Sequence, residues 1–184
     1  NAPLHRLGSG DWEKARSKAA EQIRDVAVEM LDLYATRAAR IGRRFQADLA
    51  EYENFCAGFP FELTEDQATT IDATLADLRS DQPMDRLVCG DVGFGKTEVG
   101  MRAAFIAANS GTQVAVLVPT TLLAQQHYQN FLDRFADWPI RIASLTRFTT
   151  KANLDRHLAE LAAGKVDIVI RTHKLPSESI KYKN

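Results

Sequence analysis

The sequence predicts an α/β domain, a parallel β-sheet with helices on both faces, preceded by a long N-terminal helical segment. Three observations carry that expectation. The run Cys89-Gly90-Asp91-Val92-Gly93-Phe94-Gly95-Lys96-Thr97 has the spacing G-x-x-x-x-G-K-[ST] of a phosphate-binding loop. Nearly continuous apolar runs at 114–118, 140–145 and 166–170 alternate with helical patterns at 122–135 and 151–163, the rhythm of a parallel sheet with crossover helices. Residues 11–41 contain neither Gly nor Pro, and Trp12, Ala15, Ala19, Ile23, Val26, Met30, Leu33 and Arg37 recur at steps of three and four.

That last spacing predicts one amphipathic helix, with Ser9 or Asp11 to cap its start and Gly42 where a C′ glycine ends it. So thin an apolar stripe cannot bury itself alone, so the helix must lie against another domain, either as a connecting strut or as a dedicated binding helix. A shorter helix over 47–57 stops at Gly58, ahead of Phe59-Pro60-Phe61. From 64 to 78 a further helix places Ala68, Ile71, Leu75 and Leu78 on one face. Residues 86–89 read as a short buried strand and 96–109 as a helix, so the glycine loop stands between strand and helix as such loops do. Gly111 and Gly164 are expected to end the helices before them.

Composition excludes the exotic classes. The 184 residues are 45% hydrophobic and 26% charged with a formal net charge of -1, so any nucleic-acid contact must come from local basic clusters and not from a global positive field. Cys56 and Cys89 lack metal-ligand spacing, which favours a reducing compartment without disulfide or zinc. With no apolar run long enough to cross a bilayer and no signal peptide, the expectation is a cytoplasmic chain with no membrane partner.

The loop has definite chemistry. Gly90, Gly93 and Gly95 are expected to take positive φ and bring backbone N–H groups close to phosphate oxygens, with Asp91, Val92 and Phe94 supplying the rest of the loop backbone. Lys96 supplies a positive charge to the β- and γ-phosphates of a nucleoside triphosphate, and Thr97 the hydroxyl that such loops place on Mg²⁺. Asp91 reads as loop geometry more than as a catalytic base. Thr64-x-x-Gln67 fits a capping box, and the Gln67 amide also has the donor and acceptor to pair with adenine, two roles that can coexist.

In an open parallel sheet, ligands sit at the carboxyl ends of the strands. Thr120 and Thr121 follow the first apolar run, Arg147 the second, and Arg171, Thr172 and His173 the third. Threonine beside a basic residue or at a helix start, repeated along one edge, suggests a track for a polyanionic backbone, although each threonine also serves as a plain helix cap. His127 and His157 have no ligand-spaced partners and read as satisfied or solvated side chains.

The residues Gly90 to Val99, followed by Val118-Pro119-Thr120-Thr121-Leu122-Leu123-Ala124-Gln125-Gln126-His127, resemble motifs I and Ia of the transcription-repair coupling factor family of superfamily 2 DNA translocases. Phe61 to Gln67 is similar to the Q motif of that superfamily, and Leu4 to Trp12 with the long helix resembles the segment that joins an RNA-polymerase-interacting domain to the motor. RecG-type branch-migration helicases share the loop and the Pro-Thr…Ala-Gln-Gln-His pattern but are not expected to share the leading segment.

The resemblance implies a RecA-like lobe, incomplete here, and ATP-driven translocation on double-stranded DNA, with RNA polymerase and UvrA as partners of the complete protein. By position, Gly90, Asp91, Val92, Gly93, Phe94, Gly95, Lys96, Thr97 and Glu98 would hold Mg²⁺-ATP and Gln67 the adenine. Lys96 and Thr97 would serve catalysis, and Thr120, Thr121, Arg147, Thr172 and His173 would face DNA. It divides the chain into a helical linker over 1–58 and the first part of motor lobe 1 over 59–184. Two departures stand out: Arg171 occupies the position of a family glycine, and no Asp-Glu dipeptide of the Mg²⁺-binding box occurs. The isolated chain is therefore expected to be inactive, and a non-catalytic interaction module with a vestigial loop is the remaining alternative.

Overall fold

The computed structural model describes residues 10–46, 48–172 and 181–183. The long helix, α1 (Asp11–Ala38), buries none of its residues, and Trp12, Ile23, Met30 and Leu33 along its stripe are all exposed. It begins on Gly10 without a side-chain cap, so Asp11 sits in the first turn and not at the cap, and Ser9 lies outside the described residues. It ends on Ala39 in the right-handed region, ahead of the expected Gly42.

Gly42 has a different use. A Cβ there would come within 2.7 Å of both the Gln82 carbonyl carbon and the Pro83 nitrogen, so the chain after α1 runs against the backbone that precedes the phosphate loop. Gly42 N donates to Asp81 O at 2.6 Å and Phe45 N to Leu78 O at 2.9 Å. Arg37 pairs with Asp85, and Arg44 with Asp81 at 2.7 Å. The bond from Arg86 holds the Asp77 carboxyl below the usual carboxylate range on the same segment.

Helix α2 (Leu49–Ala57) starts later than expected because Asp48 is the better cap, accepting from Ala50 N and Glu51 N. Helix α3 (Glu65–Arg79) is capped by Thr64, and α4 (Lys96–Asn109) begins on the phosphate-loop lysine as the spacing predicts. The strand expected at 86–89 does not form. These residues have no ladder partner among the described strands, and Leu87 is exposed, so an apolar run without a neighbour stays irregular.

The sheet consists of β1 (Val114–Val118), β2 (Ile142–Leu145) and β3 (Ile168–Thr172), all parallel in the order β1-β3-β2. Helix α5 (Thr121–Arg134) carries the chain from β1 past the place of β3 to β2, and α6 (Lys151–Ala162) brings it back to β3. Because the crossover direction reverses and crossovers are right-handed, the two helices must lie on opposite faces. The core agrees: Ile168 and Ile170 pack with residues of α3, α4 and α5, while Val169 packs with Leu161, Leu154 and Leu158 of α6. In β1, Ala115 and Leu117 remain exposed despite an all-apolar strand.

The larger core is centred on aromatic rings. Phe55 of α2, fully buried, stacks on Phe105 of α4 with centroids 4.2 Å apart, and Trp138 meets Phe105 edge-on at 4.6 Å. Short α2 is thus bound into the α/β layer behind the phosphate loop. Cys56 and Cys89 are free thiols, and among the described residues no helix is long and apolar enough to cross a membrane.

Candidate nucleotide-binding site and nucleic-acid edge

The phosphate loop gets its shape from two of its glycines. Gly93 and Gly95 have φ of 87° and 70°, a region that side chains rarely enter, whereas Gly90 does not take positive φ, which corrects the expectation for that residue. The Gly90 and Asp91 carbonyls instead accept from Lys96 Nζ, each at 2.6 Å. Asp91 also accepts from Phe94 N at 3.4 Å through its backbone, which fits loop geometry. Val92 and Phe94 turn their side chains to solvent, so only their backbones line the loop.

Lys96 is exposed and Thr97 half-buried in the first turn of α4. The lysine ammonium uses two of its three donors on neutral carbonyls, and a phosphate oxygen would be a stronger, charge-assisted acceptor. With helix N-terminal N–H groups beside it, the donor set fits a polyphosphate.

Gln67 holds its anticipated capping position and makes a second contact, to the phosphate loop. Its Oε1 accepts from Thr64 N at 2.9 Å and Thr64 Oγ1 accepts from Gln67 N at 3.2 Å, completing the capping box. Its Nε2 donates to the Phe94 carbonyl at 2.8 Å, tying the start of α3 to the phosphate loop. One N–H and one lone pair of the amide stay available for a base. The same contact explains Gly95, where a Cβ would lie 2.5 Å from Gln67 Nε2. A cavity of about 470 Å³ opens here, walled by Phe59, Phe61, Thr64, Gln67 and Phe94. Phe59 and Phe61 meet edge-to-face at 5.5 Å, and Phe61 is 71% exposed, a flat apolar surface beside the amide. Sequence reasoning did not single out these rings as ligand-facing, although two aromatics around a proline just before the capping box are a visible signal.

Glu98 departs from its expected place. Its side chain is 5% exposed and accepts from Arg102 Nε at 2.8 Å and from Arg134 Nη2 at 3.1 Å. Arg134 Nε reaches the second carboxylate oxygen at 3.4 Å. The carboxylate is committed to these arginines and only the Glu98 backbone remains on the loop side, where its N–H donates to Gly95 O at 2.9 Å. Burial opposes the charge of Arg102, and the Glu98 bond with the neighbouring negative field outweighs it, holding the pKa above its ordinary value. Beside Arg102, burial pushes the Tyr52 hydroxyl up to about 12. The Arg134 guanidinium also stacks on the Phe55 ring, 3.9 Å from its centroid. Removing one partner of such a buried pair typically costs about 3–5 kcal/mol. Arg134 carries no sequence signal, because it meets Glu98 only across 36 residues of chain.

At the carboxyl edge of the sheet, Thr120 is the N-cap of α5, its hydroxyl accepting from Leu123 N at 3.2 Å, and it is exposed, while Thr121 is half-buried. Arg147 is exposed and lies over the equally exposed Phe148 ring, 4.7 Å from its centroid. Thr172 differs from expectation: it is the last residue of β3, opposite Val118 and 4% exposed, so its hydroxyl is not offered at an open edge. Arg171, 7% exposed within the same strand, is likewise no surface charge. The expectation for His173 falls outside the described residues.

A parallel sheet with a lysine-bearing phosphate loop at the start of a helix defines a P-loop nucleotide-binding domain. The chain matches the DEAD/DEAH box helicase family over residues 64–183 and belongs to it. More particularly, it is similar over its length to the transcription-repair-coupling factors. That of Escherichia coli (strain K12) is 59% identical over 184 residues, which are 100% of this chain and 16% of that protein. That of Staphylococcus aureus (strain USA300) is 47% identical over 181 residues, 98% of this chain and 16% of that protein. Among solved structures, RecG bound to a three-way DNA junction is 33% identical with a TM-score of 0.79, covering 94% of this chain and 24% of that one. A hypothetical ATP-dependent RNA helicase from Sulfolobus tokodaii, 23% identical with a TM-score of 0.50 over 68% of this chain and 34% of that one, shares the fold. The chain thus spans about 16% of the length of these coupling factors.

Proposed function

We propose that this chain is the ATP-binding part of a superfamily 2 translocase that moves on double-stranded DNA, displaces stalled RNA polymerase and couples transcription to nucleotide-excision repair through UvrA. Residues 1–58 serve as the helical linker and 59–184 as the first part of motor lobe 1. The observation that supports the reading is the bond from Gln67 Nε2 to the Phe94 carbonyl, which ties an amide with the donor and acceptor to pair with adenine to the same loop as Lys96. In this arrangement Phe59 and Phe61 flank the adenine, Gln67 reads its edge, and Lys96 leaves the Gly90 and Asp91 carbonyls for phosphate. Thr97 would offer its hydroxyl to Mg²⁺, which would supply positive charge to offset that of the phosphates.

The test is titration of the complete protein with a fluorescent ATP analogue and Mg²⁺. Lys96→Ala should weaken binding at least about tenfold while leaving thermal stability within about 0.5 kcal/mol, since an exposed lysine supports no packing. Equal affinity in both proteins would refute the site. The 184-residue chain alone, lacking an Asp-Glu pair, is proposed to have no appreciable turnover.

A second reading, a branch-migration helicase, is favoured by the likeness to RecG at a TM-score of 0.79. Capture of RNA polymerase by the complete protein supports the first reading, and migration of a synthetic three-way junction without such capture supports the second.

A further inference from the structure

The ion pair between Glu98 and Arg134 joins the two ends of the proposed motor. Glu98 follows Thr97 directly in the first turn of α4, whereas Arg134 is the last residue of α5, which starts at Thr121 after the Thr120 cap on the proposed nucleic-acid edge. Between those ends α5 is a continuous helix of 14 residues, about 20 Å of rigid rod. Arg134 is fixed from two further sides. The Phe55 ring lies 3.9 Å from its guanidinium, and Gly58 leaves room for it, since a Cβ there would meet Arg134 Nη1 at 3.0 Å.

Two N–H groups of Arg134 bond to the two oxygens of one carboxylate, so the rotation of α5 about its axis is set relative to the first turn of α4. Arg134 and Glu98 also line a cleft of about 610 Å³ together with Gly95 and Thr97, so a change at the loop and a change at the pair share one wall. Arg102 holds the same carboxylate from within α4, and Arg134 holds it from α5.

We propose that Arg134 is a positioning residue that transmits the DNA-bound placement of α5 to the phosphate loop through Glu98, and so sets how strongly DNA stimulates ATP turnover. Its guanidinium bonds to Glu98 and stacks on Phe55, so it acts through these neighbours. The inference rests on the translocase reading and adds to it the residue pair that couples the two sites.

The experiment measures ATP turnover by the complete protein with and without duplex DNA, for wild type, Arg134→Lys and Arg134→Gln. Arg134→Lys keeps the buried charge but loses the two-pronged grip, and Arg134→Gln leaves the Glu98 carboxylate paired with Arg102, so neither leaves an unpaired ion in the core. The expected result is a fall of about tenfold in the ratio of stimulated to basal rate, within the usual 5- to 150-fold range of coupling, with the KM for ATP within about twofold of wild type. A pair that only supported the fold would lower both rates together and leave the ratio alone. A ratio within about threefold of wild type in both variants overturns the inference, as does loss of ATP-analogue binding in both. Should wild type itself show no DNA stimulation, the translocase reading falls and this inference with it.

Discussion

The side-chain amide of Gln67 donates to the carbonyl of Phe94 at 2.8 Å while its oxygen closes the capping box on Thr64. One side chain therefore closes the start of a helix and steadies a phosphate loop 27 residues further along the chain. Gln67→Glu separates the two roles, because the carboxylate still accepts from Thr64 N but has no hydrogen to give to Phe94 O or to a base. Titration with ATP and GTP analogues should show the preference for adenine fall by about tenfold, the worth of one bidentate contact, with the melting temperature little changed. An undiminished adenine preference would assign Gln67 to capping alone.

Gly42 is expected to be intolerant for a reason unrelated to its anticipated helix-ending role. In Gly42→Ala the new methyl meets backbone on both sides, at 2.7 Å from Gln82 C and from Pro83 N, and neither is the flexible end of a side chain. Denaturant melts should show a loss of about 1–3 kcal/mol, the usual scale for forced overpacking. Unchanged stability would mean that the chain after α1 separates easily from the segment leading to the phosphate loop.

Arg147 is the exposed strand-end charge on the proposed DNA track. Replacing it with alanine should weaken binding of the complete protein to all duplex sequences about equally and make the salt dependence shallower by about one unit, because one phosphate contact and its released counterions are lost. If affinity and salt slope both stay as in wild type, this edge does not follow a phosphate backbone. Arg171 is unsuited to the same test, being 7% exposed within β3.

Several patterns with a local cause are legible in the sequence. Helix α4 and strand β1 fall at their anticipated bounds, and Thr64 caps α3, because a glycine loop, an apolar run and a capping box each act within a few residues. The family resemblance likewise rested on contiguous motifs, and the match over residues 64–183 agrees with it. Two differences come from strand pairing. Residues 86–89 look like a strand but have no neighbour to pair with, and Thr172 looks like an exposed strand end but sits inside the ladder opposite Val118.

The sequence by itself determined the α/β class, the phosphate loop and the identity of its lysine and threonine, since these depend on periodicity and on residue spacing along the chain. Tertiary structure decided what touches them. It turned the Glu98 carboxylate inward to Arg134, set Gln67 on the Phe94 carbonyl and pressed Gly42 against Pro83. Pairings across 27 to 41 residues depend on how helices and strands pack, and packing leaves no periodic trace in the residues that meet.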